Sequence, residues 1–317
     1  MAKYSIVIRC YNEGQHIEKL LSGILNQSVS DLEIIIVDSG STDETLAIAS
    51  RYPTKIVSIK PTEFTFGRSL NLGCKEATGE YIVIVSAHIY PMYRDWLRNL
   101  VEPFKDPKVA IAYGKQQGNK TTKYSEQRVF AKWFPESSDY DQIHPFCNNA
   151  NAIIRRSLWK EIFYNENLTG LEDVDWAKQV QNLGYKVAYV AEAPIVHIHD
   201  ETFPRIYNRY RREAIALKQI FPEQKFSLID FLRLFISNVI SDYFHACHDG
   251  VIQKKATEIV LFRFMQFWGT YHGYRDRVNN QLRETFYYPN HLKRPKTVNR
   301  PKLELAIDYT NLMREHQ

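Results

Sequence analysis

Two adjacent carboxylates, Glu172 and Asp173, stand in the stretch TGLEDVDWA at the start of a predicted helix. A carboxylate within hydrogen-bond reach of a hydroxyl group can act as a general base, removing the proton as the oxygen attacks. The same acids, together with Asp175, also suit the positive end of a helix dipole. The pair is therefore a candidate for proton transfer, and a purely structural role is the alternative.

Polar residues also follow the first two apolar runs of the chain. Tyr11, Asn12 and Glu13 come after SIVIRC, and Asp38 ends LEIIIVD. A nucleotide base needs donors and acceptors on its edge, and a ribose needs a carboxylate for its hydroxyls, so Asp38 suits one of these. The alternative is that Asp38 caps the turn SGSTDET. The motifs G-x-G-x-x-G and G-x-x-x-x-G-K-[ST] are absent, which leaves dinucleotide and P-loop binding unsupported.

These side chains are carried by short, β-branched apolar runs that alternate with helical patterns up to about residue 200. The alternation predicts an α/β fold with a mainly parallel sheet flanked by helices. Three helices with aromatic and basic faces follow, so we predict a catalytic domain over residues 1–203 and a helical region over 204–317.

Within the first part, the stretch 115–145 is predicted to be irregular, and NNANAIIRRSLWKEI is predicted to be helical. Ser41 or Thr42 is the predicted N-cap of the helix in DETLAIASRY, and Gly79 the end of the helix in RSLNLGCKEATG.

Composition excludes several classes of protein. The 317 residues carry a formal net charge of only +5, too small to imply a nucleic-acid partner. The four cysteines are scattered without metal-ligand spacing, which indicates reduced thiols. With neither a signal-peptide pattern nor a membrane span in the sequence, we expect a cytoplasmic protein, with peripheral contact at the inner face of the membrane as an alternative.

Five motifs occur in an order that resembles a known family. They are CYNE, VDSGSTDET, FGRSLNLG, EDVDWA and VHIH. Together they resemble a family-2 inverting glycosyltransferase with the GT-A nucleotide-diphospho-sugar fold. The bacterial rhamnosyltransferase-like group has a similar F-x-x-G-R-x-x-N-x-G segment, matched here by Phe64, Gly67, Arg68, Asn71 and Gly73. The resemblance covers about residues 3–220 and, more weakly, residues 264–273.

Ten residues are expected to bind the nucleotide sugar. They are Tyr11, Asn12, Glu13, Asp38, Arg68, Asn71, Ser86, Ala87, Arg209 and Arg212. The resemblance implies that Tyr11, Glu13 and Asp38 hold the nucleoside. Arg68 and Asn71 would lie near the same pocket, unless they only cap and pack their helix. A subset of the arginines in the basic segment that follows residue 204 would clamp the diphosphate, because guanidinium groups match phosphate geometry. A solvated basic face and contact with anionic lipid headgroups are the alternatives.

The loop Ser86-Ala87-His88 occupies the place of the family's D-x-D motif, whose last residue usually binds a divalent cation that bridges the two phosphates. Alignment on Pro91 puts His88 at the ligand position. His197 and His199 alternate at the end of the last apolar strand, so they point to the same face and are further candidate ligands. The resemblance implies Mn²⁺ or Mg²⁺, and imidazole suits Mn²⁺ better. The alternative is that no metal is used and that His88 donates a hydrogen bond to the diphosphate while arginines supply the charge.

The resulting hypothesis is an inverting glycosyltransferase that moves a sugar from a nucleotide-diphosphate sugar to a glycan or lipid-linked acceptor in bacterial surface polysaccharide synthesis. Asp173 would be the general base and Glu172 would support it. A non-catalytic relative that binds a nucleotide or glycan as an assembly module is the alternative. A nucleotidyltransferase of similar fold is disfavoured, because no glycine-rich phosphate loop opens the chain. The apolar helix FSLIDFLRLFISNVISDYF suits the core or a homodimer face better than a membrane surface.

Overall fold

The structure is a computed structural model that describes residues 2–276 of the chain. Within that range a single eight-stranded sheet forms the centre of the molecule, in the order β3-β2-β1-β4-β7-β6-β8-β5. The strands are β1 (Tyr4–Cys10), β2 (Leu32–Asp38), β3 (Thr54–Ser58), β4 (Tyr81–Ser86), β5 (Ile89–Pro91), β6 (Val109–Gln117), β7 (Asn151–Arg155) and β8 (Lys186–His197).

Helices cover the sheet and extend beyond it. They are α1 (Ile17–Leu25), α2 (Thr45–Ala49), α3 (Phe66–Glu76), α4 (Trp96–Val101), α5 (Tyr124–Trp133), α6 (Arg156–Glu161), α7 (Glu172–Asn182), α8 (Phe203–Ile220), α9 (Leu228–His248) and α10 (Ile252–Arg275). In the described range, no helix is both long enough and apolar enough to cross a membrane.

Strands β1 to β4 pair in parallel. The apolar residues of the inner strands β1 and β4 are buried from both sides, as the continuous β-branched runs predict, whereas the edge strand β3 leaves Ile56 exposed. Alternate residues of β1 serve the two faces: Ile8 packs with Leu20 of α1, while Val7 packs with Leu70 of α3. Strand β7 is antiparallel to both β4 and β6, and β5 is antiparallel to β8. The predicted α/β fold with a mainly parallel sheet is confirmed, with an antiparallel part on one side.

The C-terminal helices pack closely on one another. Helix α10 lies along α8, and glycine permits the approach: a β-carbon at Gly269 would stand 2.4 Å from the Tyr207 carbonyl oxygen. The same distance separates a β-carbon at Gly273 from the Arg211 carbonyl oxygen. Glycine at these two positions therefore lets the helix backbones touch.

Four local predictions were wrong. The stretch 115–145, predicted to be irregular, contains α5. In NNANAIIRRSLWKEI, predicted to be helical, only Arg156–Glu161 form a helix, and Asn151–Arg155 form β7. Helix α2 begins only at Thr45, so Ser41 and Thr42 are not its caps; they bind the loop that contains Asn12. Helix α3 ends at Glu76, before Gly79, because Ala77 is already extended. The predicted polar segment from about residue 290 lies outside the described residues.

Candidate active site

A cavity of about 710 Å³ opens where the carboxyl ends of β1 and β4 meet. In open α/β sheets, ligands bind at this edge because the loops after parallel strands converge there. Its other walls come from residues 148–150 before β7, the start of α7, the end of β8 and the first turns of α8. The helical region thus contributes directly to the cavity, so the predicted boundary at residue 203 runs through the site.

Two residues that line the cavity have an unusual backbone conformation. Asn12 (φ 54°) and Leu171 (φ 55°) are the two non-glycine residues with positive φ between residues 2 and 276, and both line the cavity. The left-handed region costs a non-glycine residue free energy, and such residues concentrate at functional sites. At Leu171 this conformation immediately precedes α7 and fixes the direction in which the next two side chains leave the backbone.

Those two side chains are the paired carboxylates, and the structure separates their environments. Asp173 accepts hydrogen bonds from the backbone N–H groups of Asn149 and Val174, both at 2.9 Å. Glu172 accepts a hydrogen bond from Arg9 Nη1 at 2.9 Å. Burial, followed by the neighbouring charge of Glu172, raises the pKa of Asp173 to about 7, against the opposing effect of the two backbone hydrogen bonds. Asp173 is therefore a carboxylate whose pKa suits a general base near neutral pH.

Three histidine side chains also line the cavity. The Nε2 atoms of His197 and His199 lie 3.1 Å apart, and the His88 ring stacks on His197 with 5.0 Å between the ring centroids. One ring nitrogen of each of the three histidines lies within 4.8 Å of the others. The alternating spacing predicted that His197 and His199 share a face, and the structure brings both together with His88.

Hydrogen bonds at the far side of these rings fix where their protons are. His197 Nδ1 donates to Gln116 Oε1 at 2.7 Å, and His199 Nδ1 donates to Glu126 Oε1 at 2.9 Å. The neutral His197 ring then presents a lone pair at Nε2, because burial, followed by the charges of His199 and His88, lowers the pKa of His197 well below its ordinary value. This lone pair lies 3.1 Å from Nε2 of His199 and can accept a hydrogen bond from that ring or bind a metal ion.

This arrangement is how proteins prepare imidazoles as metal ligands. A ligating histidine typically donates its other N–H to a carboxylate or carbonyl oxygen, which fixes the tautomer and raises the basicity of the ligating nitrogen. A three-histidine donor set suits Mn²⁺ better than Mg²⁺, which prefers oxygen. The described residues therefore fit a divalent transition metal at His88, His197 and His199.

The two arginines expected to clamp a diphosphate differ in their partners. Arg209 Nη2 lies 2.8 Å from Glu126 Oε2, and Arg209 Nε lies 2.8 Å from Glu201 Oε2. Burial alone would raise the pKa of Glu126, but Arg209 and His199 lower it to about 2. Arg209 is thus neutralised by two carboxylates and holds the wall that positions His199.

Arg212 has a different environment. Its guanidinium lies 4.6 Å from the centroid of the Phe66 ring, which Arg9 also contacts at 5.0 Å. Its Nε is buried and has no hydrogen-bond partner among residues 2–276. An unused N–H of a guanidinium in a cavity wall suits an anionic oxygen.

The residues expected to bind the nucleoside are only partly brought together. Asn12, Glu13 and Ser86 line the cavity, and Glu13 Oε1 lies 3.2 Å from His88 Nδ1. The lining residues do not include Tyr11, Asp38 or Ala87. Asp38 is buried, and its carboxylate accepts hydrogen bonds from the N–H groups of Gly40 (2.9 Å) and Ser41 (3.1 Å). These two bonds match the alternative role of Asp38 as a cap of the turn SGSTDET. Ala87 packs in the core.

Arg68 and Asn71 also lie away from the cavity lining. Asn71 Nδ2 donates to the Tyr164 carbonyl oxygen at 2.9 Å, and Asn71 Oδ1 accepts from the Tyr164 N–H and from Trp159 Nε1. Arg68 forms ion pairs with Glu63 and Glu166. A β-carbon at Gly67 would stand 2.4 Å from the Asn165 carbonyl oxygen. In this structure the motif FGRSLNLG joins α3 to the segment before α7, which is the packing alternative.

Several functional side chains were missed by sequence reasoning. Arg9 gave a signal, since it is a charged residue inside an apolar strand. Asn149, which binds Asp173 through its backbone, lies in the polar run NNAN. Gln116 and Glu126 gave none, because they act only through histidines 73 to 81 residues away.

Comparison with known proteins agrees with this architecture. The profile of Glycosyl transferase family 2 matches residues 5–163. The O-antigen chain rhamnosyltransferase RfbN of Salmonella typhimurium is 31% identical over 222 residues, covering 66% of this chain and 70% of the relative. The O-antigen chain rhamnosyltransferase WbaN of Salmonella anatum is 26% identical over 224 residues, with the same coverage.

Solved structures share the fold at low identity. The mannosyltransferase PcManGT from Pyrobaculum calidifontis, in complex with GDP-Man and Mn²⁺, superposes with a TM-score of 0.58 at 20% identity. The superposition covers 91% of this chain and 87% of PcManGT. Residues 1–349 of S. aureus TarS in complex with UDP-GlcNAc give a TM-score of 0.51 at 15% identity, covering 86% and 91% of the two chains. The GT-A fold predicted from the motifs is confirmed, and the chain belongs to glycosyl transferase family 2, as a glycosyltransferase of the rhamnosyltransferase-like group.

Proposed function

We propose that this glycosyltransferase transfers a sugar, with inversion, from a nucleotide-diphosphate sugar to a glycan or lipid-linked acceptor in bacterial surface polysaccharide synthesis. The observation that carries the proposal is the position of Asp173. Two backbone hydrogen bonds hold its carboxylate at the cavity wall, and its raised pKa suits proton transfer near neutral pH.

In the proposed reaction, Asp173 takes the proton of the acceptor hydroxyl while that oxygen attacks the anomeric carbon and the bond to the diphosphate breaks. Glu172 stays ion-paired with Arg9 and holds its charge beside Asp173. One carboxylate on one face is what a single direct displacement requires, and such a displacement inverts the anomeric centre.

The departing diphosphate needs positive charge. Arg212 offers an unpaired buried N–H, and Arg205 lines the same cavity. A Mn²⁺ or Mg²⁺ ion held by His88, His197 and His199 would stabilise the charge that develops on the leaving group. Mn²⁺ is the better match to the imidazole ligands, and the ion named in the PcManGT complex agrees with it.

The relatives support the type of product. The two Salmonella proteins are named for O-antigen chain synthesis, and TarS is named as a poly(ribitol-phosphate) β-N-acetylglucosaminyltransferase. These names favour a surface glycan as the acceptor. A cytoplasmic location, expected from the sequence, stays a prediction.

A panel of UDP-, GDP-, dTDP- and CDP-sugars tests the proposal. The purified protein is incubated with each donor and Mn²⁺, and release of the nucleoside diphosphate is measured. The anomeric configuration of the first sugar released to water is then read by proton NMR before mutarotation. We expect one donor class to be cleaved with inversion. Retention of configuration would overturn the single displacement. The proposed transfer would be overturned if no donor is bound or cleaved, with or without a bacterial lipid extract as acceptor.

A non-catalytic assembly module is the second candidate, favoured by the loss of both acidic positions from the loop Ser86-Ala87-His88. It predicts donor binding, seen as a thermal shift with a nucleoside diphosphate, without any turnover. The geometry of Asp173 argues against it, because a binding module has no use for a buried carboxylate with a raised pKa.

A further inference from the structure

Helix α9 exposes a continuous apolar face, which we call the α9 outer face. Its members, with their exposed fractions, are Leu228 (48%), Ile229 (76%), Leu232 (46%), Ile236 (51%), Ile240 (62%) and Phe244 (71%). Five of them are spaced by four residues from 228 to 244, so they form one unbroken ridge about 24 Å long at 1.5 Å per residue. Surface leucines and isoleucines are ordinary when isolated, but a contiguous ridge marks an interaction site.

The helix is fixed with this face outward. On its inner side, Phe231 and Phe235 pack edge-to-face against Phe264 of α10. A buried ion pair, Arg263 to Asp242 at 2.7 Å, joins α10 to α9, and Asp242 also accepts a hydrogen bond from Ser125 of α5. Turning the outer face inward would break this buried network, so no element among residues 2–276 covers the apolar ridge.

The size of the ridge suits a protein interface. A large aromatic side chain carries about 150–250 Å² of surface, and leucine and isoleucine lie near the lower end of that range. Six such residues, exposed by somewhat more than half on average, amount to on the order of 500 Å², more than half of the about 800 Å² per partner that a standard interface buries.

The charge of the helix decides between a membrane and a protein. The charged residues of α9 are Asp230, Arg233 and Asp242, which leaves the helix with one negative charge in excess. Arg233, the one exposed cation, lies 3.3 Å from Asp230. A helix that lies on an anionic bilayer needs lysines and arginines along its polar face, whereas the ridge beside the outer face carries Ser237 and Ser241.

We propose that the α9 outer face is the interface of a homodimer, in which the α9 helices of two copies pack across a two-fold axis. An unbroken ridge of residues four apart is self-complementary, because ridges of this spacing interdigitate at a crossing angle near −50°, the commonest packing of two helices. A two-fold interface uses the same patch on both copies. The middle of the ridge places Ile236 and Ile240 near the axis.

The full chain tests this in solution. Light scattering after size-exclusion chromatography at about 1 and about 100 µM is expected to give twice the chain mass of 37.2 kDa at the higher concentration. The double variant Ile236→Glu/Ile240→Glu is expected to remain a monomer at both. Ile143→Glu, the same change at an isoleucine that is 97% exposed elsewhere, is the matched control and should not alter the mass.

A crosslinking experiment tests the dimer even if the double variant fails to fold. In a Cys247→Ser background, Ile236→Cys should form an intermolecular disulfide rapidly under mild oxidation, and Ile143→Cys should not. A wild-type chain that stays monomeric at about 100 µM and gives equal crosslinking at the two sites would overturn the dimer. If the chain is monomeric and sediments with anionic phospholipid vesicles, and the double variant does not, the dimer is overturned in favour of a membrane surface. If the monomer does not sediment, the dimer is overturned in favour of coverage of the face by residues 277–317.

Discussion

The Nε2 atoms of His197 and His199 face each other at 3.1 Å, while the Nδ1 atoms donate in the opposite direction to Gln116 and Glu126. Both rings therefore keep Nε2 on the side away from these two hydrogen bonds, where it can bind a metal ion together with His88. This orientation supports the proposed metal site, although the loop Ser86-Ala87-His88 contains no acid.

Glu126 offers a test of that argument without touching a ligand. Glu126→Gln should weaken Mn²⁺ binding by about 10- to 100-fold, because the carboxylate no longer fixes the His199 tautomer. Calorimetric titration of the metal-free protein with MnCl₂ measures the effect. Glu136→Gln, a change at an exposed carboxylate, is the control. Equal affinity in both variants would show that Glu126 does not support a metal ligand.

The pH dependence of turnover should report Asp173. Its pKa is raised to about 7, so the basic form is lost as the pH falls below that value, and kcat/KM should fall about tenfold per pH unit on the acidic side. Burial is the main cause, and the negative charge of Glu172 is the second. Glu172→Gln should therefore move the inflection to lower pH. The profile is measured between about pH 5.5 and 8.5; an inflection that moves upward in this variant would contradict the assignment.

Arg212 and Arg209 should respond differently to the same substitution. Arg212→Gln removes an unpaired N–H donor from the cavity and is expected to raise the Kd for the donor nucleotide about tenfold, with little loss of stability. Arg209→Gln leaves Glu126 and Glu201 without their shared partner and should lower the free energy of unfolding by about 3 kcal/mol. Isothermal binding and urea unfolding of both variants separate the two roles. If Arg209→Gln weakens donor binding and Arg212→Gln lowers the free energy of unfolding, the two assigned roles are wrong.

Asn71 should be important for stability alone. Asn71→Ala leaves the Tyr164 N–H and carbonyl without their partner, and we expect a loss of about 2–3 kcal/mol in the free energy of unfolding. The KM for the donor should change by less than about twofold. Asn119→Ala, at a surface turn, provides a comparison. A large rise in the KM for the donor, without a loss of stability, would instead show that Asn71 contributes to nucleotide binding.

Patterns within one strand or helix were predictable, and contacts between distant segments were not. The alternation of His197 and His199 and the position of Asp173 at the start of α7 follow from local periodicity. The hydrogen bonds of Gln116 and Glu126 join β6 and α5 to the end of β8, and a single sequence holds no local signal for such a pairing. Asp38 and Asn71 show the converse limit: both stand in motifs, yet the backbone groups around them occupy their polar atoms.

The central claim is that Asp173 removes the acceptor proton. The most direct measurement compares turnover of Asp173→Asn with that of Asp175→Asn, which changes an acid of the same helix that lies outside the cavity lining. Donor affinity is measured for both by calorimetry. The proposed mechanism predicts that Asp173→Asn lowers kcat by about 10²- to 10⁴-fold with donor affinity preserved, while Asp175→Asn stays within a few-fold of the wild type. Turnover of Asp173→Asn near the wild-type rate would contradict it.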